Sequence, residues 1–126
     1  MKIVIETIPH LTHRYQTCGD WYRDKEGNLQ IKVSQEIGDE YALLVALHEL
    51  VEVALCEKRG ITTDQVDAFD KAFEAARVEG NEDEPGDDPN APYRKEHFFA
   101  TSIERLMSAE LGVDWKEYDE KIMSLP

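Results

Sequence analysis

The segment YALLVALHELVEVALC, residues 41–56, constrains this chain more than any other stretch. Thirteen of its sixteen residues are apolar or aromatic, and the three exceptions, His48, Glu49 and Glu52, sit together at its middle. At 100° per residue, with Tyr41 at zero, His48 falls at about 340°, Glu52 at about 20° and Glu49 at about 80°. His48 and Glu52 therefore share one stripe, Glu49 stands beside them, and leucine and valine fill almost every other direction. A helix apolar nearly all round is expected to be mostly buried. Buried carboxylates beside an imidazole need a cation or a dense hydrogen-bond network. A metal ion is the simplest way to satisfy all three groups. The alternative is a half-exposed helix whose polar stripe faces water.

A length of 126 residues suits one domain spanning 1–126, large enough for a single core without staples. The net charge of −13 excludes two classes of partner, because so acidic a surface repels phosphate backbones and anionic lipid. Neither nucleic acid nor membrane is expected, whereas divalent cations, basic proteins or a protein that grips DNA remain open. Two cysteines, Cys18 and Cys56, are too few for a disulfide scaffold, and Cys56 reads as a small core filler. With no secretory signal at the start, the expectation is a cytoplasmic protein. No apolar run is long enough to span a bilayer.

The pattern along the chain predicts an α+β fold. Residues 1–38 are β-rich: KIVIETI reads as a strand, and GDWYRDKEGNLQIKVSQ as a hairpin with Leu29, Ile31 and Val33 alternating inward. The expectation is a small antiparallel sheet of three strands. Residues 40–126 read as helical. The first helix is stopped near Gly60, and the second is capped by Thr62 or Thr63, with Val66, Phe69, Phe73 and Ala76 inward. The third covers about 93–111 with Phe99, Ile103, Leu106 and Met107 inward, and a short closing helix is anchored by Trp115. Between the second and third, residues 79–92 form an acidic loop rich in Gly and Pro. It lacks the spacing of an EF-hand and reads as solvated.

HELVE resembles the first half of the His-Glu-x-x-His helix of zincin metalloproteases, with Glu52 in place of the second histidine. A carboxylate is a legitimate ligand, so this departure bears on peptidase activity more than on metal binding. The strand NLQIKVS directly upstream resembles the one that zincin-type hydrolases use to line substrate. His97, at the start of the third helix, is the candidate third ligand, and Glu104 lies on its stripe, able to orient it or join the site. On the second helix Asp70 outranks Asp67 as a ligand or supporting group, though a solvated surface acid is the default for each. His10 and His13 fall in a polar loop and read as surface histidines.

Glu49-x-x-Glu52 followed by Asp67-x-x-Asp70 also resembles the paired acidic motifs of all-α nucleotide pyrophosphohydrolases of the MazG type, in which four carboxylates hold magnesium. A third reading is a phage-encoded DNA mimic or decoy for a basic surface. Over the whole chain, HELVE, LC, RGI, VDAFD and FE, followed by PGDDPNAPYRKEHFFA, IER and LGVDW, look like a family of small uncharacterised phage and prophage proteins. That resemblance implies a bacterial or phage origin and brings no activity with it.

The leading expectation is a metal-binding α+β domain holding a divalent metal, zinc by its donor types. His48, Glu52 and His97 would be the ligands, and Glu49 a general base acting on metal-bound water. Hydrolysis of a peptide or amide bond would be the reaction, and a site that only binds metal is the close alternative.

Overall fold

The structure is a computed structural model describing residues 1–126. Strands β1 (Ile3–Ile8), β2 (Gly19–Arg23) and β3 (Leu29–Ser34) form one sheet in the order β1-β3-β2. Helices α1 (Asp39–Lys58), α2 (Thr63–Ala75), α3 (Arg94–Glu110) and α4 (Trp115–Met123) follow, giving the expected α+β fold. No helix is long and apolar enough to cross a membrane.

The sheet is mixed rather than wholly antiparallel. β2 and β3 form the expected antiparallel hairpin, with Trp21 opposite Ile31. β1 pairs parallel to β3 on its other side, Ile5 opposite Ile31. The connection from Pro9 to Cys18, which includes a 3-10 turn at His10–Thr12, is long enough to carry the chain across to the far edge before β2 begins. Parallel pairing requires such a crossover, whereas a tight turn would have forced an antiparallel pair. β2 is consequently an edge strand.

β3 turns Leu29, Ile31 and Val33 to the core, where they meet Trp21 and one side of α1. α1 is capped on its core side by Ala42, Leu44, Val45, Ala46, Val53 and Cys56, all buried, and Cys56 is a core residue as expected. Its opposite stripe is not covered: Leu43 is 67 % exposed and Ala54 is also exposed. At the start of α2 the Thr62 hydroxyl accepts from the Gln65 N–H while the Gln65 side chain accepts from the Thr62 N–H, a reciprocal cap. Of its expected core face only Val66 is fully buried; Phe69 and Phe73 are half-buried and Ala76 is exposed.

α3 is rotated relative to its apolar pattern. Phe99, Leu106 and Met107 face solvent, Leu106 at 67 %, while His97, Ala100, Glu104 and Ser108 are buried against α1. These four recur at helical spacing along a narrow stripe. Ala100 permits close approach of the two helices, His97 and Glu104 find partners across the contact, and the Ser108 hydroxyl donates to the Arg105 carbonyl of its own helix. In α4 the buried anchor is Tyr118, with Trp115 only half-buried beside it.

The rotation makes a direct prediction. Leu106→Gln is expected to change stability by no more than about 0.5 kcal/mol, whereas Ala100→Leu overpacks the α1–α3 contact and is expected to cost about 1–3 kcal/mol. Urea denaturation of both variants measures this; a larger loss for Leu106→Gln would place the apolar stripe inward.

Candidate metal centre

α1 and α3 run against each other, and α3 sets His97 and Glu104 seven residues apart, two turns along the stripe that faces α1. Opposite them α1 presents His48 and Glu52, one turn apart. Glu52 Oε2 lies 3.0 Å from His48 Nε2 and 3.2 Å from His97 Nδ1. The three residues are 5 %, 7 % and 4 % exposed in the order Glu52, His48, His97, so the stripe of α1 does not face water. These three donor atoms are close enough together to grip one ion.

The outer nitrogen of each imidazole is backed by carboxylate. His48 Nδ1 lies 2.7 Å from Glu104 Oε1, and the Tyr118 hydroxyl donates to the other oxygen of Glu104. His97 Nε2 lies 3.0 Å from Glu84 Oε2 and 3.2 Å from Asp87 Oδ1, both from the acidic loop. The other oxygen of Glu52 accepts from the Trp21 indole N–H of β2 at 3.1 Å. His48 passes its second nitrogen to Glu104 as metal-binding histidines characteristically do, which fixes ring orientation and strengthens the donor. Gly86 sits flat on the His97 ring, where any Cβ would collide with the imidazole, so the loop can close over the ring only with glycine there.

The site opens into a cavity of about 300 Å³ lined by Trp21, Glu49, Asp70, Tyr93 and the loop 81–86, among others. Ten carboxylate side chains line it against one arginine, Arg77, whose guanidinium is already paired with Glu74 at 2.8 Å. Such a lining favours a cation and disfavours phosphate. Glu49 borders the cavity beside Gly19, where a Cβ would come within 2.7 Å of its Oε1. Unlike Glu52 it has no hydrogen-bond partner in the protein.

Burial and the charged neighbours pull against each other in the titration of the cluster. It pushes the Glu49 carboxyl well above the usual range, with the neighbouring Glu52 charge adding to the effect. Burial acts on Glu52 in the same sense, yet the hydrogen bonds to His48 and His97 outweigh it and hold that carboxyl at about 2. Burial alone would lower His48, but Glu104 and Glu52 on either side raise it well above its ordinary value. His97 is likewise carried against burial to about 12 by Asp87, Glu52 and Glu84.

The expected ligands His48, Glu52 and His97 are thus brought together, and Glu49 stands beside them. Glu104 orients His48 rather than His97, because it reaches across to α1. Asp70 is buried, accepting from the Tyr15 hydroxyl at 3.0 Å and from the Tyr93 hydroxyl, so it is not a solvated acid. Asp67 pairs instead with Arg14 at 2.8 Å. β2, through Gly19, Asp20 and Trp21, lines the cavity in place of the expected NLQIKVS strand, which is central in the sheet. His10 is buried, with Nδ1 2.7 Å from Ser34 Oγ, and His13 Nε2 lies 3.0 Å from the same hydroxyl; neither is a free surface histidine. Trp21, Tyr118, Glu84 and Asp87 were not indicated by spacing, since each belongs to a different element from the residue it holds. The compact run PGDD, with acids on both sides of a Pro-Gly pair, was the one available signal for the loop. No protein-family model, no curated protein and no solved structure matches the chain.

Asp70 supplies a pH test away from the ligands. Burial raises its carboxyl to about 7, against the pull of Tyr93 and Tyr15. The folded chain therefore keeps this proton where the unfolded chain has released it, and stability falls as pH rises from about 4 to 7. Asp70→Asn is expected to match wild type near pH 4 and to exceed it by about 1–3 kcal/mol above pH 7. Urea denaturation at pH 5 and pH 8 measures the crossover; an equal loss at both would contradict a shift caused by burial.

Proposed function

We propose that the protein is a divalent-metal-dependent hydrolase of peptide or amide bonds, with zinc as the metal that its donors suit best. The observation that carries this reading is the convergence of His48 Nε2, His97 Nδ1 and Glu52 Oε2, with a carboxylate behind the far nitrogen of each ring. Two imidazoles and one carboxylate make the three-ligand set of catalytic zinc sites, which keep a fourth position open. The donor separations of 3.0 and 3.2 Å fit one coordination sphere.

The metal would supply polarisation of the scissile carbonyl and acidification of water at the open position. The protein groups do the rest. Glu104 and Tyr118 hold His48 in register, and Trp21 fixes the Glu52 oxygen that does not face the rings. Glu49, free of hydrogen bonds and with a raised carboxyl pKa, is placed to take a proton from water and return it to the leaving amine. β2 is an edge strand whose residues line the cavity, so an extended peptide could lie along it by backbone pairing. The unpaired Cys18 and Cys56 suit a reducing, cytoplasmic setting.

The four-carboxylate magnesium arrangement draws less support. Asp67 is taken by Arg14, Asp70 by two tyrosines, and α2 lies against the 3-10 turn Pro85–Asp87 rather than along α1. A decoy for a basic protein would have no use for a buried histidine pair.

Protein purified without chelator is expected to carry about one zinc-type ion per chain, and His48→Ala or His97→Ala to reduce this by about 10–100-fold in affinity or more. Glu49→Gln is expected to keep the ion and lower hydrolysis of a peptide library by about 10²–10⁴-fold. Metal analysis and mass-spectrometric detection of cleavage measure the two effects. Wild type without a tightly held ion would end this reading; an ion with no cleavage in either protein would leave a site that serves structure or regulation.

A further inference from the structure

The 3-10 turn at Pro85–Asp87 does more than cover His97. Glu84 Oε2 and Asp87 Oδ1 approach His97 Nε2 to 3.0 and 3.2 Å, yet this buried nitrogen makes no hydrogen bond, because neither oxygen lies along its N–H direction. A turn built only to receive that N–H would set one oxygen on its axis. Here two oxygens come within 3.2 Å of the nitrogen and neither takes its hydrogen bond. Metal bonds of about 2.0–2.2 Å at angles of about 90–110° place donor atoms roughly 2.8–3.6 Å apart, the range observed. Asp87 is held for this arrangement, since its other oxygen accepts from the Glu84 N–H at 3.0 Å. These three donors lie close enough to share one ion.

We propose that Glu84, Asp87 and His97 Nε2 form an outer divalent-cation site at the mouth of the cavity, from which an ion is passed to the inner site. The side chains of Glu84 and Asp87 are 44 % and 38 % exposed, against 6 % for that of Glu52, so a cation from solvent meets the loop first. A neutral imidazole offers one lone pair, so His97 serves one ion at a time. With the ion on Nε2 the ring proton sits on Nδ1. Passage inward moves the ion to Nδ1, which releases its proton to solvent, while Nε2 takes one from solvent, so the ring stays neutral overall. The outer site stands on its own geometry, and only the passage rests on the inner site proposed above.

The test uses Co²⁺ as the probe, added to metal-stripped full-length protein and followed by its visible absorption in equilibrium and stopped-flow experiments. His48→Ala/Glu52→Gln, which removes the inner site, is expected to bind one Co²⁺ more weakly than wild type and to lose it when Glu84→Gln/Asp87→Asn is added. Glu84→Gln/Asp87→Asn alone is expected to reach wild-type stoichiometry but to load about tenfold more slowly. If the double variant does not fold, Glu84→Gln alone, on a half-exposed side chain, carries the same measurement. Loss of all binding in His48→Ala/Glu52→Gln would overturn the outer site and leave the inner one standing. Wild-type affinity in that variant would support the outer site and remove the inner one. Unchanged loading in Glu84→Gln/Asp87→Asn would overturn the passage.

Discussion

The carboxylate of Glu52 joins the three parts of this fold. One oxygen takes the indole N–H of Trp21 from the sheet, and the other lies between an imidazole of its own helix and one from α3. An anion this deeply buried would cost several kcal/mol if left alone. The α1–α3 contact has therefore to supply it with partners, and His48 of α1 and His97 from the polar stripe of α3 do so. That requirement decides which way α3 turns: the stripe with His97 and Glu104 goes in, and Phe99 and Leu106 go out. α4 then closes the second layer by bringing the Tyr118 hydroxyl to Glu104.

A core arranged around ions gains specificity more readily than stability. Apolar residues of equal volume at His48, Glu52, His97 and Glu104 could be as stable or more so, because the desolvation cost of buried charges is rarely recovered in full. What the charged arrangement sets is the relative position of two helices to within a hydrogen bond. A divalent cation needs that tolerance, since a shift of one helix by a fraction of an ångström would break its coordination.

The sequence was readable where local chemistry decides the outcome. The α+β class, the β2–β3 hairpin, the Thr62 cap and the burial of Cys56 all follow from short patterns, and HELVE and His97 pointed to the candidate site by residue type and spacing. The parallel pairing of β1 was not readable, because it depends on where the chain from Pro9 to Cys18 travels. The inward face of α3 departs from its apolar pattern for a more instructive reason. Apolar periodicity assumes that the inward face is the greasy one, and here the inward face is the polar stripe that answers Glu52. Asp70 was underrated in the same way, since its partners Tyr15 and Tyr93 come from two segments far off in the chain.

The turn over His97 also bears on how the molecule assembles. Glu84, Gly86 and Asp87 lie 10 to 13 residues upstream of the ring they enclose, whereas Glu52 reaches that ring across 45 residues. Closing a short loop needs far less chain ordering than bringing distant helices together. The acidic turn and the first turn of α3 can therefore form as a local unit early, with His97 already aimed. Half of the donors proposed for a cation are then written into one short segment, and the cluster of His48, Glu52 and His97 is complete only once the two halves of the chain have met.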